Sequence, residues 1–537
     1  MKKRRTILAL LALSLVLSCS RESVVPDKGE PRLKSIEVSV YSLDIPEGEE
    51  AELPFTVRDR DYTFVTNPSS SFFPLEIRLE SGEKAGFCEI TGVEKRGEAA
   101  GLYVAVIRNN GRKESFSERV HLTFVNGKGS GKESYMDSGV FLLTCTGEEL
   151  LVDTGLPVVL VNTENNAPIT SKENWVNVQV SIQGNGGYKS MNMAPGRIRG
   201  RGNTTWYWPK KPYVIAFDKR QSVLGMPEHK RWVLLANFMD RTLMRNMVAM
   251  KVSSMMSNLA WTPRCVPVEL VLNGKHQGSY LLIEQVRVDE NRLNISEDGG
   301  YLFELDFHYD NPVQWTDKHG SCHGMSRGIP FSVKYPDSDD ITSDQISYAK
   351  NYIAEVADVI YGSNFKDPVN GYAKFLDVDS FIDYWIVYEV MTNHELNNPG
   401  SIMFHKDVCG KLTAGPCWDF DWGILSFYTS NGEYGLVNKD AIWYSRLFQD
   451  PDFKSRVKAR FLELKPQLQT IPSYMDECEK LLEKSAGLNF KMWNPADDRS
   501  QNGGNIINGD ENLTFHDAVK RLKSNYSKHL TVIESKL

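Results

Sequence analysis

The sequence predicts an α+β protein of more than one domain, on three observations. At 537 residues the chain exceeds one ordinary domain and points to two or three. Up to about residue 334 the apolar residues fall in short alternating runs, whereas beyond Asp337 they recur at helical spacing. A glycine-rich break, Asn126-Gly-Lys-Gly-Ser-Gly-Lys132, separates a first set of short runs from a second. With 41% apolar and 24% charged residues the chain is globular rather than disordered.

Residues 1–18 are a targeting segment. Lys2, Lys3, Arg4 and Arg5 precede an apolar stretch, Ile7 to Leu17, that is too short to span a bilayer as a mature helix. The run Val16-Leu17-Ser18-Cys19 resembles a bacterial lipoprotein signal, which implies a lipid on Cys19 and an exported chain held to the cell envelope. Residues 19–32 are polar and proline-bearing, a tether. Loss of the four basic residues of 1–18 takes the formal charge from −7 to −11. A chain that acidic, with no basic run, is no nucleic-acid binder, since such binding needs lysine and arginine to displace counterions. The other cysteines form no CxxC pair and no HExxH occurs, which leaves zinc without support.

From 33 to 126 the runs Ile36/Val38/Val40, Glu52–Val57, Leu75–Leu79, Leu102–Ile107 and Val120–Val125 alternate between turn-forming clusters. This pattern predicts a small all-β immunoglobulin-like sandwich, a spacer with no chemistry of its own. Residues 127–138 are the linker. Its Gly-Lys is followed by Glu133 rather than serine or threonine, so it is not a phosphate loop.

The remaining domain, 139–537, begins with strands expected at Gly139–Leu143, Val158–Val161, Trp175–Ile182, Arg197–Arg201 and Tyr213–Phe217. Asp240 reads as the cap of a helix through Leu243, Met247 and Met250. Asn273-Gly274 between two apolar runs marks a β-hairpin. Beyond Asp337, Thr342 and Gln345 form a capping box, Asp379 caps a helix through Trp385, and further helices cover Asp452–Leu468, Ser473–Glu483 and Phe515–Ile533.

The chemistry concentrates between Asn393 and Gly423. An acidic loop with Glu395 and Asn398 is separated from Asp419 and Asp421 by two runs, Ser401–His405 and Lys411–Ala414, that read as a hairpin. The hairpin would fold the two acidic groups together, and carboxylates and amides gathered that way suit Mg²⁺ or Mn²⁺. Upstream, Arg199-Gly-Arg-Gly-Asn-Thr-Thr-Trp206 and Pro209-Lys-Lys-Pro-Tyr213 bring Arg199, Arg201, Lys210 and Lys211 to a strand edge, a cradle for phosphate oxygens. Phosphoryl transfer needs cations on the triphosphate, carboxylates on the metal and a group that orients the nucleophile.

The blocks RGRGNTTW, PKKPY, LANFMDRTLMRN, LNGKHQGSYLLIEQV and GPCWDFDWG resemble successive blocks of the spore-coat protein H (CotH) kinase family, from about Thr170 to Leu537. The resemblance implies a two-lobed, atypical protein-kinase-like domain that transfers phosphate from ATP to protein hydroxyls. By the same resemblance Lys211, with Lys210 as rival, contacts phosphate. The strand Leu281–Val286, with Glu284, meets the adenine, and Asp240 and Arg245 lie where a partner for the lysine belongs. Asp419 holds the metal with Asp421 and Asn398, and Glu395 stands in the catalytic loop. Active members carry aspartate at this last position, so Glu395 is one methylene longer than the family pattern.

The alternative is a kinase-like surface lipoprotein without catalysis that binds a glycan or a protein. The aromatic run Trp206-Tyr-Trp208 would then stack on sugar rings. Under the first reading the partner is a protein acceptor, not named by the sequence.

Overall fold

The computed structural model describes residues 33–40, 42–46, 48–59, 63–65, 75–96, 101–110, 116–124, 139–146, 153–308, 311–319, 328–426, 435–497 and 508–537. Cys19, the targeting segment, the tether and the linker at 127–138 lie outside the described residues. The chain divides into two compact units. One comprises Met1–Val40, Glu52–Ile107 and His121–Val140; the other comprises Tyr41–Ala51, Arg108–Val120 and Phe141–Leu537.

The N-terminal strands are β1 (Leu33–Val38), β2 (Ser42–Pro46), β3 (Glu50–Asp59), β4 (Leu75–Leu79), β5 (Cys88–Arg96), β6 (Leu102–Asn109), β7 (Phe116–Phe124) and β8 (Gly139–Thr146). In the first unit the sheet order is β1-β3-β6-β5. Alternation places Leu53, Phe55 and Val57 of β3 on its buried face. Tyr103 closes that core, its hydroxyl donating to the Val65 carbonyl at 2.8 Å. In the second unit β2 runs parallel to β8, with Leu43 opposite Leu143.

The second unit is mixed α+β. Strands β9 (Val158–Thr163), β10 (Val176–Gln183), β11 (Met191–Gly200), β12 (Tyr213–Gln221), β13 (His229–Leu235), β14 (Cys265–Leu272) and β15 (Lys275–Glu284) close into a barrel in the order β10-β11-β12-β13-β15-β14-β9. Val178, Val180 and Ile182 of β10 turn inward at every second residue, as their alternation predicts. The parallel pairing of β14 with β9 completes the closure, with Leu270 opposite Val159. Strand β13 does not announce itself by alternation because both of its faces are covered. Trp232 and Leu234 fill the barrel, while Val233 and Leu235 join the larger core outside it. Asn273 and Gly274 make the expected turn between β14 and β15. Leu281–Val286 is therefore no separate strand after the hairpin: most of it is the end of β15, which stops at Glu284.

A short helix, α1 (Thr204–Tyr207), leaves β11, and α2 (Arg245–Ser253) follows β13. Asp240 is not the residue adjoining α2. It still caps the helix from a turn upstream, by accepting the Arg245 amide at 2.9 Å.

A second sheet, β17-β18-β16-β19-β20, combines β16 (Tyr301–Leu305), β17 (Gln314–Asp317), β18 (Ile329–Tyr335), β19 (Ile402–Lys406) and β20 (Leu412–Ala414). The pair β19 and β20 is the hairpin read from the sequence, and β19 also pairs with β16. Helix α3 (Ser343–Tyr361) opens with the predicted capping box at Thr342 and Gln345. Helix α4 (Val378–Val390) is capped by Asp377 rather than Asp379, whose carboxylate instead pairs with Arg456 at 2.6 Å. Apart from Asp379 every residue of helix α4 is buried, the mark of a central helix. Helices α5 (Tyr444–Leu447), α6 (Pro451–Leu468), α7 (Ile471–Met492) and α8 (Phe515–Lys536, capped by Thr514) pack the remainder. Among the described residues no helix is long and apolar enough to cross a membrane.

Candidate functional site

The buried helix α4 delivers the acidic loop. After Met391 the chain turns at Thr392 (φ 53°), and Asn393 caps a single 3-10 turn by accepting the Glu395 amide at 2.9 Å. That turn presents the Glu395 side chain. The hairpin then returns the chain to Asp419, which sits at φ 63°. A left-handed backbone at a residue other than glycine is strained by about 1–3 kcal/mol and persists only where its surroundings fix it. Here they do. Asn246 of α2 accepts the Phe420 amide at 2.8 Å, and Asn508 accepts the Gly423 amide at 3.0 Å. Gly423 has φ 68°, and a Cβ there would stand 2.5 Å from the His394 ring, so no other residue fits.

Under this loop lies a buried ion cluster. Arg245 donates to Asp240 and, at 2.6 Å, to Asp510, while its Nε reaches the Ile424 carbonyl at 2.9 Å. Arg245 is fully buried. Asp240 is thus the partner of Arg245 and not of a lysine.

Glu395 lies in the electrostatic field of Asp419, Asp421 and Asp306. Burial raises the Glu395 carboxyl well above its ordinary range, and Asp419, Asp421 and Asp306 push it further. Asp421 is pushed up to about 8, by burial first and then by Asp419 and Asp240, with Arg201 and Arg245 opposing. Asp419 is raised by burial and by Asp306, against the pull of Arg201 and a hydrogen bond from Ser401. One oxygen of Glu395, Oε2, is buried without a hydrogen-bond partner. Carboxylates crowded in this way either keep protons or take up a cation.

The second outcome is open to a hard divalent ion, for which oxygen donors are the preferred ligands. Among the described residues no group of three or more His, Cys, Asp or Glu side chains is placed to hold a metal ion by itself. Mg²⁺ does not need one: it is usually held by one or two carboxylates, with phosphate oxygens and water filling the other positions.

The basic residues read from the sequence separate in space. Arg201 joins the acidic cluster, 5.6 Å above the Trp418 ring and within the field of Asp419, Asp421 and Glu304. Arg199 turns to Trp175 and donates to the Lys172 carbonyl. Lys210 is held between β15 and α7. It donates to the Ser279 carbonyl and to Asn489 Oδ1 (2.8 Å), and lies 4.4 Å from the Tyr280 ring. Lys211 donates to the Trp206 carbonyl at 2.8 Å. The phosphate cradle expected from all four thus has Arg201 alone beside the carboxylates.

Nor do the glycines of that motif hold space for phosphate. A Cβ on Gly200 would stand 2.1 Å from the Trp206 ring, so this glycine makes room for the chain's own tryptophan. Trp208 is buried and stacks on Phe238 at 5.8 Å, which leaves Tyr207 as the exposed member of the aromatic run. Glu284, expected at the adenine, is fully buried. It pairs with Arg292 at 2.6 Å and accepts the Arg264 amide at 2.8 Å. Asn398 is exposed on the loop that carries Glu395. Asp306 escaped the sequence reading because β16, which ends one residue before it, was not anticipated. An acidic residue closing the apolar run Tyr301–Leu305 was the available signal.

Burial lowers the Lys210 ammonium to about 7, with Glu269 opposing. Between about pH 7 and the ordinary lysine value of about 10.4, the unfolded chain therefore binds more protons there than the folded one, and the folded state gains stability as pH rises. Relative to Lys210→Met, the wild-type urea midpoint is expected to rise between pH 6.5 and 9.5. A gap between the two that does not change with pH would contradict this.

A closed barrel and a helical half, with carboxylates on the loops after α4 and β20 and Arg201 just past the end of β11, define a protein with a candidate cation and phosphate site. The CotH kinase protein family matches residues 198–533, and the chain belongs to that family. No curated protein matches the chain. Solved structures similar to it include domains 4 and 5 of the S-layer protein SbsC, at 13% identity and a TM-score of 0.15, covering 22% of this chain and 55% of that one. Domains 5–6 of SbsC match at 11% identity and a TM-score of 0.15, covering 38% of this chain and 96% of that one. The chain spans about half the length of the first of these.

Proposed function

We propose that the chain is an atypical Ser/Thr protein kinase that transfers the terminal phosphate of ATP to a hydroxyl of an acceptor protein. In this reading residues 139–537 form a two-lobed kinase-like domain, the N-terminal strands are an immunoglobulin-like spacer, and a lipid on Cys19 fixes the exported chain to the cell envelope. The observation that carries the catalytic reading is the buried, unpartnered Oε2 of Glu395, set in the field of Asp419 and Asp421.

Asp419 and Asp421 would hold Mg²⁺ or Mn²⁺, and Asn398 would assist from the loop edge. The cation supplies positive charge to the phosphate oxygens in the transition state. Arg201 donates hydrogen bonds to those oxygens, the role the resemblance gave to Lys211. Glu395 accepts the proton of the acceptor hydroxyl at Oε2 as the new O–P bond forms and the bond to ADP breaks. A carboxylate made more basic by its surroundings suits that task better than an ordinary one. The longer side chain of Glu395 reaches the cluster from the 3-10 turn that Asn393 fixes.

The test is incubation of the full-length protein with γ-labelled ATP and envelope proteins, with Mg²⁺ and separately with Mn²⁺. Label on protein serine or threonine that disappears with a chelator is expected. No transfer with either metal would remove the kinase reading.

A further inference from the structure

The outer face of the barrel carries a group of arginines that the proposed reaction does not use. Strand register builds it. Arg197 of β11 is opposite Ala216 of β12, and Ala216 is opposite Arg231 of β13. The two arginines thus flank a small residue, about 10 Å apart along the sheet. Arg199 points to the same face two residues on. Trp175, just before β10, takes all three: the guanidinium carbons of Arg197, Arg199 and Arg231 lie 5.6, 4.7 and 4.8 Å from its ring.

This positive charge is poorly matched. Arg287 adds a fourth guanidinium, felt by both Arg199 and Arg231. The facing carboxylates are Glu173, engaged by Ser171 at 2.6 Å, and Asp337, engaged by Arg287 at 2.9 Å. Burial and the repulsion of Arg287, Arg199 and Arg197 bring Arg231 down to about 10, with Asp337 opposing. Among the described residues no hydrogen bond ends on the guanidinium of Arg197 or Arg231, and Arg199 Nε is buried without a partner. A tryptophan shared by three arginines keeps their planar forks in place, the geometry that receives a carboxylate or a phosphate with two parallel hydrogen bonds.

The patch adjoins the acidic cluster. Arg199 and Arg201 are two residues apart on an extended chain, about 7 Å, and Arg201 is the arginine beside Asp419. We propose that Trp175, Arg197, Arg199 and Arg231 form a docking subsite for an acidic side chain of the acceptor protein, a phosphoserine or a glutamate within a few residues of the target hydroxyl. This rests on the kinase reading for the identity of the ligand, though not for the binding itself.

The test uses three synthetic peptides that differ at one position about three residues from a central serine: phosphoserine, glutamate or alanine. Their binding to the full chain is measured by calorimetry for the wild type, for the double variant Arg197→Ala/Arg231→Ala, and for Asp419→Asn. The wild type is expected to bind the phosphoserine peptide about tenfold or more tighter than the alanine peptide, with glutamate between. The double variant loses this preference and Asp419→Asn keeps it. Equal binding of the three peptides by the wild type, or a preference that survives in the double variant, would overturn the proposal. A thermal melt of the double variant matching the wild type excludes misfolding as the cause. Because Asp419→Asn leaves the arginines intact, failure of phosphate transfer and failure of docking are read separately.

Discussion

Glu395→Gln is expected to slow phosphate transfer by at least about a hundredfold, the lower range for loss of a positioned general base. The amide is nearly the same size as the carboxylate but accepts no proton at physiological pH. The turn that Asn393 caps is left undisturbed, since Asn393 receives the Glu395 backbone amide and not its side chain. The expected pattern is a fall in kcat with KM for ATP nearly unchanged, because binding is assigned to Asp419, Asp421 and Arg201. Glu395→Asp restores the family's residue type but withdraws the carboxylate by about one ångström, an error that costs about a hundredfold where geometry is tight. Equal rates for wild type and Glu395→Gln would assign the proton to another group.

Arg245→Ala carries the largest expected effect on stability. Its guanidinium is fully buried between Asp240 and Asp510 and also holds the Ile424 carbonyl. Removing one member of such a group leaves the others charged and uncompensated, at a cost of about 3–5 kcal/mol. The urea midpoint of the full chain should fall accordingly. The damage should also reach function, since Ile424 follows the Asp419–Gly423 loop directly. Weaker nucleotide binding is expected even at temperatures where the variant stays folded. A midpoint within experimental error of the wild type would contradict the role given to this cluster.

Much of the second unit was legible where a local rule acts alone. The Asn273-Gly274 turn, the capping box at Thr342 and Gln345 and the hairpin of β19 and β20 each depend on a few adjacent residues. Strands β13 and β16 were not legible, because apolar residues covered on both faces lose their alternation. The cap of α4 was misplaced by two residues since Asp377 and Asp379 carry the same signal, and only the Arg456 contact distinguishes them.

The site divides in the same way. The gathering of Glu395, Asp419 and Asp421 followed from the hairpin. The partition of the basic residues did not, because neighbouring side chains at one sheet edge can meet different partners. Arg201 meets Trp418, Arg199 meets Trp175, and Lys210 is drawn under α7 by Asn489. Contacts 200 or more residues away in sequence decide two of these placements, those of Arg201 and Lys210. A run such as Arg199–Lys211 contains no trace of them.

Binding of Mn²⁺ in the presence of ATP, titrated into the full-length chain and followed by electron paramagnetic resonance, tests the central claim most directly. Saturable binding is predicted for the wild type, at least about tenfold weaker in Asp419→Asn and unchanged in Lys210→Met. Binding that is absent from the wild type, or equal in wild type and Asp419→Asn, would contradict the assignment of these carboxylates to a metal.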